Sequence, residues 1–337
     1  MRVGLAYDLK ESVAVDESAP EDALEEYDSR ETLELIASSL VALGHSVAFL
    51  GGGREFLTNV LTASVDIVFN IAEGRGNLRS REAQVPSVLE MLDIPYSGSD
   101  PQCLAICLDK HTTKQLVGAA GIRTPQWRMV KHSLELGTMS WQGFRFPAII
   151  KPVYEGSSKG VRLSSLVASP TELPEIVVQR LEHYRQPVMV EEFIDGDEVT
   201  VGLIGNDPPT VVGTMRVVPR QGNGRFIYSL EVKRDWKVLV DYECPAQFGQ
   251  GVTDTIIAYS LKAFETLGCR DFARLDFRVS SDGRPYFLEI NPLPGLGAHS
   301  DLVIMAIRMG WRHEELIGAV LKAAVLRYKP GIPWQGG

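Results

Sequence analysis

The sequence predicts a mixed α/β protein of two or three domains. Three observations carry this. Apolar strand-like runs alternate with helix-period segments up to residue 71, and the last third is rich in strands. The chain has 337 residues, 45% hydrophobic and 23% charged, enough for more than one packed core.

The elements follow in order. Arg2–Tyr7 reads as a buried strand. Ser29 caps a helix whose apolar positions Leu33, Ile36, Ala37, Leu40 and Leu43 keep the 3.6-residue period, and Gly44 ends it. Ser46–Leu50 and Asp66–Ile71 are two further buried strands, with a helix near Arg54–Leu61 between them. Strand, helix, strand, helix, strand gives a small parallel sheet covered by helices. Helices are expected at Arg81–Leu92 and Pro101–Gly118, then a strand at Pro147–Lys151 and a Gly-Ser turn at Glu155–Gly160. Helix Ser169–Arg185 and strand Pro187–Glu192 come next. Strands at Glu198–Ile204, Thr210–Val218, Phe226–Leu230, Ala273–Val279 and Tyr286–Glu289 fill the last third, with helices at Thr253–Gly268, Asp301–Gly310 and His313–Val325.

Charge and composition exclude several function classes. The formal net charge is −9, which argues against a nucleic-acid surface. The segment Asp8–Glu34 holds eleven acids against two bases and accounts for the imbalance. It reads either as a solvated loop and helix start, or as a lip that repels anions and receives a cationic substrate. No apolar run is long enough to span a bilayer, and no basic start leads into an apolar stretch, so neither a membrane anchor nor a secretory signal is expected. Cys103, Cys107, Cys244 and Cys269 are too few and scattered for a disulfide framework and read as buried thiols. The expected location is cytoplasmic. The first turn lacks GxGxxG, so a nicotinamide or flavin site there is not expected.

Three constellations carry chemistry. Asp276 sits on a strand, and Glu289 and Asn291 are two apart at the end of another, so both point to one face. Such oxygen donors form a hard-cation site of the kind Mg²⁺ shares with substrate phosphates. Lys151 ends an apolar strand, a costly place for a charge without an anionic partner. The turn after it, Glu155-Gly156-Ser157-Ser158-Lys159-Gly160, offers N–H groups and hydroxyls that can wrap polyphosphate. Glu191-Glu192-Phe193-Ile194 with Glu198 suits an adenine amino group and a ribose diol, or else is plain edge charge.

The set resembles the ATP-grasp superfamily and, within it, the D-alanine–D-alanine ligase family. The matching pieces are Leu108-Asp109-Lys110 with Thr113-Lys114, Ile150-Lys151-Pro152 with Glu155-Gly156-Ser157-Ser158, and Glu191 with Glu198. Gly121-Ile122 with Thr124-Pro125, Ala273-Arg274-Leu275-Asp276, Glu289-Ile290-Asn291, and Pro294-Gly295 with His299-Ser300 complete them. The resemblance implies a three-domain ATP-grasp architecture: a substrate-side α/β domain over 1–109, a central subdomain over 110–199, and a carboxy-terminal subdomain with metal site and lid over 200–330, the nucleotide lying between the last two. It implies that Lys110 and Lys151 hold ATP phosphates, that Glu191 lies near the adenine amino group, and that Glu198 holds the ribose. Glu155, Ser158, Glu192, Phe193 and Ile194 complete the nucleotide set. Asp276, Glu289 and Asn291 resemble the ligands of two Mg²⁺ ions, with Mn²⁺ as an alternative. Lys233 resembles the lysine of a mobile loop, Arg274 and the Gly295 N–H the oxyanion groups, and Ser157 and Ser300 substrate-side hydroxyls.

The implied activity is an ATP-dependent carboxylate–amine ligation through an acyl phosphate. Its partners are amino acids or small carboxylates and amines, with no nucleic acid and no membrane, and the resemblance also allows a homodimer. Rival readings are a ligase with a hydroxy-acid or larger-amine acceptor, and an inactive ATP-binding module. Two departures bear on the first substrate. The family's Gly-rich loop with its amino-group Glu is replaced by the acidic insertion, with no residue assignable to that Glu. Its HGxxGEDG stretch is replaced by Ala72–Glu82, whose Arg75, Arg79 and Arg81 either fork a substrate carboxylate or serve the surface. Arg220–Trp236, with Gly222 and Gly224 as hinges, is the expected lid.

Overall fold

The structure, a computed structural model, describes residues 1–16, 18–221 and 225–328. The expected hinge glycines, Gly222 and Gly224, lie outside the described residues.

Strands β1 (Arg2–Ala6), β2 (Ser46–Gly51) and β3 (Ile67–Asn70) form a parallel sheet in the order β2-β1-β3. Helix α1 (Arg30–Ala42) starts where expected, because the Ser29 hydroxyl accepts the Thr32 N–H. It ends at Gly44, whose φ of +82° is open to glycine without strain. Its stripe of Leu33, Ile36 and Leu40 packs in one core with Val3, Leu5 and Phe69 of the sheet and with Leu316, Ile317, Val320 and Leu321. The last four belong to the carboxy-terminal helix described below, so the end of the chain seals the first sheet.

Helices α2 (Gly53–Val60), α3 (Gln84–Met91), α4 (Pro101–Leu108) and α5 (Lys110–Ala119) follow. The single helix expected over Pro101–Gly118 is therefore two. Asp109 breaks it, leaving helical dihedrals (φ −83°, ψ 94°) and accepting the Thr112 N–H as the cap of α5. This break sets Lys110 at the first position of a new helix.

The second sheet is antiparallel, in the order β4-β7-β5-β6, from β4 (Trp127–Val130), β5 (Ala148–Pro152), β6 (Leu166–Val167) and β7 (Val188–Glu192), covered by α6 (Leu173–Tyr184). The third is also antiparallel, in the order β10-β9-β8-β11-β12. It comprises β8 (Gly196–Ile204), β9 (Thr210–Pro219), β10 (Val240–Glu243), β11 (Phe272–Ser280) and β12 (Pro285–Asn291). Helices α7 (Leu230–Arg234) and α8 (Trp236–Leu239) lie between β9 and β10, and α9 (Gln250–Thr266) between β10 and β11. Helices α10 (Asp301–Arg308) and α11 (His313–Tyr328) close the chain. Side chains of α9 pack under Leu275, Phe277 and Phe287 in a separate core.

The expected strand at Phe226–Leu230 is absent. Residues 225–229 are irregular and lead into α7, with Tyr228 packed beside Val232, Val240 and Tyr242. Among the described residues no helix is long and apolar enough to cross a membrane.

Candidate active site

The two antiparallel sheets face a common cleft. Antiparallel pairing of β11 and β12 sets Asp276 opposite Glu289 and Arg274 opposite Asn291. Since alternate residues share a face, all four project to one side of the sheet. Asp276 and Glu289 line the cleft with Lys110, Lys151, Glu155, Ser158, Glu191, Glu192, Phe193, Ile194, Glu198 and Lys233. Ile149, Val161, Ile227 and Leu288 add apolar walls. Every residue expected to hold nucleotide is thus brought together.

Charge in the cleft is arranged in shared pairs. Lys110 donates to the Glu155 carbonyl and lies 3.1 Å from Glu289 Oε2. Burial works against ionisation of Glu289, but Lys110, Lys151, Arg274 and Lys233 outweigh it and hold its carboxyl far below the usual range. Asp276 accepts from Thr200 Oγ1 at 2.9 Å and pairs with Arg274 at 2.8 Å. Arg274 also reaches Asp301 at 3.4 Å, so one buried guanidinium is shared among acids. Glu198 pairs with Arg278 at 3.2 Å, and Arg278 stacks over the Phe193 ring. Glu192 accepts the Gln126 N–H.

Glu191, expected near an adenine amino group, is buried with its two carboxylate oxygens on Lys151 and Lys114, each at 2.7 Å. Burial raises its pKa, yet the two ammoniums bring it net below the usual range. Lys114 is fully buried, which pushes its pKa down to about 8. The Thr113-Lys114 pair therefore supplies a buried cation behind the cleft.

The Gly-Ser turn is strained: Ser157 and Ser158 both have positive φ, 50° and 59°. That turn sends Ser158 to the cleft and Ser157 to a second pocket. The Ser158 hydroxyl donates to the Tyr228 carbonyl, and Leu230 N–H donates to the Val161 carbonyl, so the segment after β9 lies closed on the turn.

The second pocket adjoins the cleft, sharing Tyr228, Lys233 and Asp301 with it. Arg274, Asn291, Gly295, Ser157 and Ser300 line it, so all the residues expected to act on substrate converge here. A Cβ on Gly295 would lie 2.8 Å from Ser300 Oγ, so only glycine lets the backbone approach that hydroxyl. Asn291 lines this pocket and not the cleft, and its Oδ1 accepts the Leu293 N–H at 2.8 Å. Trp236 makes tilted ring contacts with His299 and Tyr242, and all three line the pocket. Asp28 and Glu73 also line this pocket. Among the described residues neither carboxyl has a hydrogen-bond or ion-pair partner. Burial pushes the Asp28 pKa up to about 7, and burial with Glu82, Glu26 and Asp28 nearby raises Glu73 well above the usual range.

The family described as "D-ala D-ala ligase C-terminus" matches residues 116–322. The D-alanine–D-alanine ligase of Aquifex aeolicus is 34% identical over 87% of this chain and 94% of its own length. This chain belongs to the D-alanine–D-alanine ligase family. An uncharacterized protein of Sinorhizobium fredii, y4sG, is 33% identical over 87% of this chain and 88% of its own. Two solved structures share the fold. The Bacillus anthracis D-alanine–D-alanine ligase complexed with ATP has a TM-score of 0.74 at 21% identity, over 98% of this chain and 100% of its own. The VanG D-Ala:D-Ser ligase of Enterococcus faecalis has 0.71 at 21%, over 96% and 99%.

In this ATP-grasp ligase the acidic insertion is solvated over much of residues 10–16 and runs into the start of α1, but several of its acids are tied into the fold. Asp8 pairs with Arg75 at 2.8 Å and accepts the Gly74 N–H. Asp22 accepts from Tyr184 Oη and the Gly160 N–H. Glu21 pairs with Arg162, and Glu25 with Arg234 on α7. Glu26 is held by Arg81 at 2.7 Å and Lys159 at 3.0 Å. The neutralising bases come from residues 75–234, which local charge counting does not see. The segment is a strap from the first sheet to the Gly-Ser turn and the closing helix. The same contacts occupy Arg75 and Arg81, and Arg79 lies exposed, 3.8 Å from Asp109, so none of the three lines the second pocket.

Proposed function

We propose that this ligase activates an amino-acid carboxylate with ATP in the cleft and joins it to a second amino acid in the adjoining pocket. The observation that carries this reading is the junction of the two cavities at Lys233 and Asp301, beside Arg274. A carboxylate resists attack by an amine, so it first attacks the γ-phosphate and becomes an acyl phosphate. The charge of the transferred phosphoryl group is spread by Lys110, Lys151 and Arg274. Attack by the second amine builds an oxyanion met by Arg274 and the Gly295 N–H, and phosphate leaves. The segment closed over Val161 and Ser158 keeps water from the acyl phosphate.

Asp276 and Glu289, two carboxylates opposite one another in register, fit Mg²⁺, with Asn291 at the pocket side. When bound with nucleotide, the metal supplies charge neutralisation at the phosphates. Glu191, clamped by two lysines, orients Lys151 toward the phosphates. Glu198 and the 192–194 segment hold the nucleoside.

Asp28 and Glu73 supply the amino-group acids for which no counterpart is legible in the sequence. An arriving ammonium adds positive charge at a corner where Lys10 and Arg81 do not offset the burial of the two acids. Because the Asp28 carboxylate must be ionised to hold it, kcat/KM falls as pH drops through about 7. Asp28→Asn is expected to lower kcat/KM by roughly 10–100-fold and to flatten that acidic limb. An unchanged limb in the variant would assign it elsewhere.

The second-site carboxylate is held by Ser300 and Lys233, as in a D-alanine-like site. The first site, with two carboxylates where the family has one, takes a different amino acid, one bearing an additional amine. Phosphate release measured over pairs of D- and L-amino acids tests this. A mixed pair containing D-alanine is expected to exceed D-alanine alone. If D-alanine alone gives the dipeptide at a rate no mixed pair exceeds, the first-site assignment fails.

A further inference from the structure

Three thiols that are scattered along the sequence meet in the interior. Cys103 and Cys107 stand four apart on one face of α4, and Cys269 arrives from the turn after α9. The Cys103 sulfur lies 3.5 Å from that of Cys269 and 3.8 Å from that of Cys107, and all three Sγ atoms fall within 4.8 Å of one another. Each cysteine is buried, at 2%, 5% and 7% exposure for 103, 107 and 269. No disulfide joins them.

Backbone caps fix the cluster. Asp100 caps α4 by accepting the Cys103 N–H at 2.8 Å. At the other side α9 ends in a Schellman turn: Gly268 has φ +70°, its N–H donates to the Glu265 carbonyl, and Cys269 N–H donates to the Phe264 carbonyl. Both arms are therefore held independently of the sulfurs, one by the Asp100 side chain and one by main-chain bonds.

We propose that Cys103, Cys107 and Cys269 form a binding site for one thiophilic closed-shell cation, with copper(I) as the best-fitting ion. Separations of 3.5 and 3.8 Å, with all three sulfurs inside 4.8 Å, are close to those of ligands to one centre. At a metal–sulfur distance of about 2.3 Å, three sulfurs around a common ion lie roughly 3.8–4.0 Å apart. The group includes no His, Asp or Glu among the described residues, so a fourth strong donor for tetrahedral zinc is lacking. Three soft sulfurs in an apolar surround favour copper(I) over harder ions. Entry is from the groove formed by Asp100, Phe264, Arg270 and neighbours, whose wall includes Cys269. The bound ion staples α4, which runs into Asp109 and Lys110, to the start of β11, which carries Arg274 and Asp276. This site is distinct from the cleft, and its existence does not depend on the ligase reading.

The test uses the full-length, reduced chain under anaerobic conditions, titrated with copper(I) and, separately, with zinc(II), each against a chromophoric chelator. About one copper(I) per chain is expected, with zinc held at least about tenfold more weakly. The Cys269→Ser variant, and Cys103→Ala as a second, are expected to lose copper retention while keeping ATP-dependent phosphate release, which reports that they fold. Thermal unfolding of the wild type rises with copper(I), and that rise disappears in both variants. Failure of the wild type to hold either metal, or equal retention by the variants, would overturn the site. Zinc bound as tightly as copper(I) would overturn the three-coordinate geometry.

Discussion

Glu289→Gln is expected to lower turnover by roughly a thousandfold while ATP still binds. The carboxylate is the one anion that Lys110, Lys151, Arg274 and Lys233 share. Its replacement by an amide of the same shape keeps the volume and removes the charge. The surplus of cations still attracts the nucleotide phosphates, so the nucleotide affinity changes little. What is lost is a hard donor opposite Asp276 in the β11–β12 register, and with it the ordered placement of the transferred phosphoryl group. Single-turnover phosphate release, with nucleotide affinity measured alongside, separates the two effects. Turnover within about tenfold of the wild type would remove Glu289 from the site. An equal loss in ATP binding and turnover would show instead that it holds the fold of the cleft.

The parts of this site that were legible in the sequence are those set by local period. Asp276, Glu289 and Asn291 could be placed on one face because strand residues alternate and the neighbouring apolar residues marked the strands. Lys151 could be singled out as a charge at the end of an apolar run. Three strands were missed, β4, β6 and β10, of four, two and four residues, and each lies at a sheet edge. One side of an edge strand has no partner, so its apolar pattern is weak. Phe226–Leu230 misled for the opposite reason. Its aromatic content reads as a strand, yet Tyr228 is needed in the core beneath α7 and α8. Asp109 breaks a helix through a side-chain cap that the apolar period does not register. Asp28 and Glu73 carry no local signal as a pair, because they are 45 residues apart and meet only when the strap is laid across the first sheet. The acids of the strap are the same kind of case. Their character is set by partners drawn from three other segments.

That partnership gives the second large effect. Arg81→Met is expected to cost about 3–5 kcal/mol of stability. Arg81 is 1% exposed, forks onto both oxygens of Glu26 at 3.1 and 2.7 Å, donates to the Tyr154 carbonyl at 2.7 Å and reaches Glu155 at 3.3 Å. Lys159 holds the same two acids, at 3.0 Å from Glu26 and 2.5 Å from Glu155. Two cations and two carboxylates thus balance in a buried array. Methionine fills most of the volume but leaves two acids on one lysine, and an uncompensated buried charge is far costlier than the pair was favourable. The consequence extends to chemistry. Glu26 anchors the strap two residues before Asp28, so loosening it moves the amino-group acid while leaving the nucleotide cleft in place. Urea unfolding should show a lower midpoint with an unchanged slope. KM for the first amino acid should rise more than KM for ATP. The double variant Arg81→Met with Glu26→Gln should recover part of the lost stability, because the unpaired charge goes with its partner. A loss under about 1 kcal/mol in the single variant would mean that Lys159 alone satisfies both acids, and that the strap is held by Asp22 and Asp8 instead.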